Sequence, residues 1–150
     1  MEVRDAGEAL YIACEMEKRA IRLYERALIV FGDGDCRQAI GQILSDERNH
    51  LAQFSALGAE APGFERAQVL AAQAADVLFS GGLMEAQRKG AFASPEALFA
   101  YAAAEEAGAV ERYGQFAKQL TGSAGEAFAA ISLEEKGHYA KLSYLAGQEK

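Results

Sequence analysis

Several things are scarce in this chain of 150 residues, and each scarcity removes a class of protein. It has two cysteines, Cys14 and Cys36, with no C-x-x-C pair. That excludes a thioredoxin-type redox motif and a zinc-ribbon or rubredoxin site. A disulfide is not expected in a reducing compartment, and Cys14 reads as a small buried apolar residue one turn before Glu17. There are two prolines and no tryptophan, and no stretch alternates apolar and polar residues as a half-buried strand would. No apolar run approaches the 18 or more residues of a membrane span. The charged start, Met-Glu-Val-Arg-Asp, is not followed by a secretory apolar segment, so the expectation is a cytoplasmic protein without membrane contact. Positive charge is also short: the net charge is −7, which argues against nucleic acid as a partner.

What is present is helix, and the length suits a single domain over 1–150. Asp5 followed by Glu8 is a capping-box pattern, and the helix it opens should run over 6–31 to Gly32-Asp-Gly. Asp35 with Gln38 predicts a second start, over 35–57, ended by Gly58. Ser94-Pro95-Glu96 opens a third helix, 95–120, as N-cap, first-turn proline and first-turn acid. Ser123 with Glu126 predicts a cap for a fourth, 124–146. Short links within each pair imply two antiparallel hairpins. The link between the pairs, from about Gly58 to Ala93, is too long for an unstructured loop, so a helix is predicted over Ala67–Phe79 and a shorter turn over Leu83–Arg88. The expected fold is therefore all-α, a ferritin-like four-helix bundle with one long helical crossover between the second and third helices.

The seams of these helices carry the chemistry. Ile40, Ile43, Glu47, His50, Phe54 and Leu57 follow the 3-4 spacing of a core-facing stripe, and so do Phe128, Ile131, Glu135, His138, Leu142 and Leu145. Phe99, Ala102, Glu106, Ala109, Tyr113 and Phe116 form a third stripe, and Leu10, Ala13, Glu17, Ala20 and Tyr24 a fourth. Each is broken near its middle by Glu, or by Glu and His three residues apart, and by no other charge. A residue and its i+3 neighbour share one helix face. The chain also repeats itself: Glu17 and Glu106 are each followed seven residues on by tyrosine, Tyr24 and Tyr113. Such a duplicated hairpin predicts a site with approximate two-fold symmetry.

Four carboxylates in one interior cannot stay ionised and unpaired, because desolvation costs several kcal/mol per ion. Protons, basic side chains or metal could neutralise them. No Lys or Arg lies on the seams at that level, and two divalent cations would balance four carboxylates. One Glu from each of two helices with Glu-x-x-His from the other two is the ligand set of a di-iron or di-manganese carboxylate bundle. The candidate metal ligands are thus Glu17, Glu47, His50, Glu106, Glu135 and His138, for two iron ions, with manganese or zinc as substitutes.

Four segments, Glu17-Lys-Arg-Ala-Ile-Arg-Leu-Tyr24, Asp46-Glu47-Arg-Asn-His50, Glu106 through Tyr113 to Phe116-Ala117, and Glu134-Glu135-Lys-Gly-His138, give the chain its family likeness. It resembles the rubrerythrin branch of the ferritin-like superfamily over nearly its whole length. The resemblance implies that Glu47 and Glu135 bridge two metals, that Glu17 and Glu106 are terminal ligands, and that His50 and His138 give one nitrogen each. It implies that Tyr24 and Tyr113 hydrogen-bond the carboxylates from outside the ligand set. It further implies an oxidoreductase that reduces hydrogen peroxide or oxygen in oxidative-stress protection, and pairing as a homodimer over the apolar crossover. Two departures stand out. There is no rubredoxin domain with paired C-x-x-C motifs, so the electron donor would be a separate protein. The additional glutamate of peroxidatic rubrerythrins, about a turn beyond the third-helix ligand, is replaced by Gly108 and Ala109, and Glu105 could enter the site only through a helix bulge. The alternative is a non-catalytic protein for metal binding, storage or delivery, and a bundle that only scaffolds partners is a third reading.

Overall fold

The computed structural model describes residues 3–34, 36–73 and 82–147, the side chains of 71–73 excepted. It is all-α: the described residues form helices α1 (Ala6–Phe31), α2 (Arg37–Glu60), α3 (Phe64–Gln73), α4 (Gly82–Arg88), α5 (Pro95–Gln119) and α6 (Gly122–Leu145). Among the described residues no helix is long and apolar enough to cross a membrane.

The helix starts follow local chemistry where a short polar side chain reaches back to an unpaired N–H. Asp5 sits in extended backbone and its carboxylate accepts from the Glu8 N–H at 2.9 Å. Ser94 does the same for the Ala97 N–H at 3.1 Å, with Pro95 in the first turn. The other two starts differ from the sequence expectation. The Asp35 cap lies outside the described residues; α2 begins at Arg37, flanked by Cys36 without a side-chain cap. Ser123 does not cap α6 but lies inside it, with Thr121 at the cap position and no side-chain hydrogen bond. The reason is Gly122, whose φ of +69° turns the chain so sharply that the helix resumes two residues early.

Gly58 does not end α2, which continues to Glu60. It marks a close approach instead: a Cβ there would run into the ring of Phe64 at the start of α3. The crossover helix begins at Phe64, three residues before the predicted start. Its described part ends at Gln73, and the remainder of the predicted Ala67–Phe79 helix lies outside the described residues. The predicted turn over Leu83–Arg88 is the short helix α4.

The four long helices have 26, 24, 25 and 24 residues. They pack chiefly as hairpins, α1 on α2 and α5 on α6, and the hairpins meet along α2 with α6 and α1 with α5. Apolar side chains gather in two clusters. One holds Leu23 and Ala27 from the end of α1, Ile40 and Ile43 from the start of α2, Leu98 and Phe99 from the start of α5, and Leu142 from the end of α6. The other holds Leu10, Phe54, Phe116 and Phe128 from the opposite ends. Hence α1 and α6 run one way and α2 and α5 the other, and the crossover must travel the length of the molecule. At the second end Phe54, Tyr113, Phe116 and Phe128 stack with centroid separations of 5.0–5.6 Å. Between these two clusters lies a polar layer.

Candidate metal centre

That layer is built from all six sequence candidates. Glu17 on α1, Glu47 and His50 on α2, Glu106 on α5, and Glu135 and His138 on α6 are all buried, none more than 7% exposed. Apolar seam residues above and below force their side chains inward, because the i, i+3 and i+4 positions of a helix share a face. The six do not form one cluster but two overlapping quartets: Glu17, Glu47, His50 and Glu135, and Glu47, Glu106, Glu135 and His138. Within each, one donor atom per residue lies within 4.8 Å of every other. Glu47 and Glu135 belong to both. The approximate two-fold symmetry foreseen from the repeat is visible here, with each quartet taking one private Glu and one private His.

The inward atoms make no aligned hydrogen bond. Eight buried side-chain nitrogen or oxygen atoms among the described residues lack a hydrogen-bond partner, and seven belong to these six side chains. They include both oxygens of Glu47 and the Nδ1 of each histidine. The His50 Nδ1 lies 3.2–3.5 Å from oxygens of Glu47, Glu135 and Glu17. The His138 Nδ1 lies 2.9–3.7 Å from Glu135, Glu47 and Glu106. These approaches are close but are not aligned as hydrogen bonds. Unpartnered buried polar groups are rare and costly, so seven aimed at one interior point to a bound group as their partner. Carboxylate oxygen with imidazole nitrogen suits divalent iron and manganese, and zinc as well.

The outward atoms, by contrast, are held. Tyr24 donates to Glu106 Oε1 at 2.7 Å and Tyr113 donates to Glu17 Oε2 at 2.9 Å. Each tyrosine thus serves the carboxylate of the other hairpin. The histidines show the same exchange, through two residues that the sequence reading gave no role. His50 Nε2 lies 3.2 Å from Glu134 of α6, and His138 Nε2 lies 2.9 Å from Asp46 of α2. A carboxylate partner makes Nε2 the proton-bearing nitrogen, which leaves the Nδ1 lone pair for a cation. The signal was in the sequence: each Glu-x-x-His is preceded by an acid, Asp46 and Glu134.

With these side chains alone, burial favours protons on three of the four glutamates, while the fourth is ionised between the histidines. Burial pushes Glu17 up to about 8, against the pull of His50 and Tyr113. Burial likewise raises Glu106, and drives Glu135 up to about 12 with help from the neighbouring glutamates. Burial opposes ionisation of Glu47 too, but His138 and His50 on either side outweigh it and hold that group down at about 2. For His50, burial is overcome by Glu17 and Glu47, raising it to about 10; His138 is raised for the same reason by Glu106, Glu135 and Glu47. Cations entering this layer must displace those protons.

A cavity of about 250 Å³ runs between α1 and α5 to this layer. Its inner wall includes Glu17, Glu47, Glu106 and Glu135 but neither histidine. Its outer wall includes Arg19, Tyr101, Glu105 and Arg112. Glu105 does not join the four buried carboxylates: α5 is uninterrupted there, and the side chain is 41% exposed and pairs with Arg19 at 3.3 Å. Cys14 is buried against the aromatic cluster, and its thiol is 3.6 Å from the Ser55 hydroxyl rather than on a carboxylate. Burial raises its pKa, which makes it less nucleophilic.

No family model matches the chain, and neither a curated protein nor a solved structure matches it. The functional reading therefore rests on the site alone.

Proposed function

We propose that this chain is a ferritin-like di-metal carboxylate protein of rubrerythrin type, holding two divalent cations, iron in the first place. We further propose that it reduces hydrogen peroxide or oxygen with electrons from a separate donor protein. The observation that carries the reading is the pair of donor quartets sharing Glu47 and Glu135, with their inward atoms unpartnered. Glu47 and Glu135 are the residues able to contact both cations, while Glu17 with His50 and Glu106 with His138 complete one set each. Reducing one peroxide to two waters takes two electrons and two protons, and a pair of irons would supply one electron each.

The protein's own contribution is orientation and access. Tyr24 and Tyr113 hold Glu106 and Glu17 in place, and Asp46 and Glu134 fix the tautomer of the histidines. The cavity reaches the carboxylates from the side away from both imidazoles, a path for a small oxidant. Val69, Leu70 and Met84 of the crossover are exposed apolar side chains and supply the surface for the proposed homodimer.

Metal analysis followed by stopped-flow spectroscopy tests the reading. The protein should take up two irons, and its reduced form should oxidise faster with hydrogen peroxide than with air. Two irons without a preference for peroxide would leave a metal protein of another function. No iron or manganese uptake would end the proposal.

A further inference from the structure

We propose that the outer part of the cavity between α1 and α5 binds a small organic monocarboxylate, its anionic end held by Arg112 and its body lying along Met16, Ala20 and Ala109. The inference goes beyond the redox reading and does not need cations at the glutamates, since the site is made by α1 and α5.

Size is the first argument. A peroxide or dioxygen molecule has two heavy atoms. An apolar cavity of about 150 Å³ accommodates benzene, so the 250 Å³ of the whole cavity, its inner end at the glutamates included, leaves room for a single ring in the outer part. Gly108 keeps that room free, because a Cβ built there would meet nothing within 4 Å. Charge is the second argument. Two arginines are among the residues that line the cavity, and Arg19 is engaged with Glu105. Arg112 has no ion-pair partner among the described residues and is half-buried. A cation in a partly dehydrated wall is costly unless an anion meets it, and a planar guanidinium matches a carboxylate with two parallel N–H donors. Polarity then orients the guest. Arg112 stands in the outer wall and the four glutamates, which offer no cationic side chain, in the inner one, so the carboxylate faces Arg112 and the neutral end points inward. Met16, Ala20 and Ala109 offer that end an apolar lining.

Benzoate, with nine non-hydrogen atoms, is the probe. Calorimetric titration of the full chain compares it with benzamide, a neutral molecule of the same shape, and with inorganic phosphate, an anion without a ring. Benzoate should bind one per chain. Binding should weaken about tenfold or more in Arg112→Gln and with benzamide, as for loss of a charge-assisted hydrogen bond. Gly108→Leu should abolish it by filling the cavity, and that variant should fold, since leucine is the better helix former. Absence of saturable benzoate binding, equal binding to Arg112→Gln, or phosphate binding as tightly as benzoate would each overturn the proposal. Titrations on metal-free and manganese-loaded protein separate the two readings. Benzoate binding without metal uptake defeats only the metal centre, and metal uptake without benzoate binding defeats only this site.

Discussion

Glu47→Gln is the sharpest perturbation of the proposed centre. The amide keeps the size and burial of the side chain, so packing at this fully buried position is preserved. It removes the charge from a residue shared by both donor quartets, and a neutral amide cannot replace a carboxylate that contacts two cations. The effect is readable as thermal stability. A ligand that binds only the folded state at a hundred times its Kd adds about 2.7 kcal/mol. For a chain of this size about 1 kcal/mol moves Tm by roughly 2–4 °C. Each cation should therefore raise the Tm of the parent by about 5–10 °C under those conditions. Glu47→Gln should lose most of that increment for both cations at once while keeping its helical circular dichroism, because the apolar clusters on either side are untouched. Glu135→Gln should behave the same way, and Glu17→Gln should affect one cation more than the other. Thermal melts with and without iron(II) or manganese, paired with metal analysis, provide the measurement. If Glu47→Gln kept two metals and the full metal-dependent rise in Tm, the shared-carboxylate reasoning would be wrong.

Asp46→Asn and Glu134→Gln should each lower metal affinity by roughly 10–100-fold, the usual cost of losing a carboxylate behind a ligating histidine; competition with a chelator measures it, and unchanged affinity would mean the histidines are oriented otherwise. Tyr113→Phe leaves Glu17 Oε2 without its donor, and Tyr24→Phe does the same to Glu106 Oε1. Each should destabilise the metal-free protein by about 1–3 kcal/mol in urea denaturation, and a neutral result would show that neither carboxyl group depends on its phenol. Asp5→Ala should cost about 0.5–2 kcal/mol through loss of the α1 cap. In the folded protein the Glu8 N–H, then Arg66, hold the Asp5 carboxyl below its ordinary value. Its contribution is therefore present above the unfolded pKa of about 3.9 and is lost as pH falls through the folded one. Denaturation across that acid range should show a smaller pH-dependent loss in Asp5→Ala than in the parent, and identical acid limbs would refute the assignment.

Much of this protein could be read along one helix at a time. A Glu and the His three residues on must share a face, and a 3-4 stripe of apolar residues must turn that face inward, so the six candidate ligands were legible without coordinates. The Asp5 and Ser94 caps were legible for the same reason, since a cap is satisfied within four residues of chain. The expectation that both tyrosines hydrogen-bond carboxylates holds, but which carboxylate each serves was open, because the partner lies on another helix. Tyr24 sits two turns from Glu17, roughly 10 Å along one axis, so its hydroxyl must serve a different helix, and packing chose Glu106, 82 residues away. Asp46 and Glu134 had no role along their own helices, and gained one only when the hairpins met and each found the other's histidine. The end of α2 was misjudged because Gly58 reads as a stop, whereas the ring of Phe64, arriving from the crossover, is what needs its missing side chain. The cavity belongs to neither α1 nor α5 but to the gap between them. Periodicity and capping are local properties of a chain, while complementary partners and empty space exist only after distant segments pack.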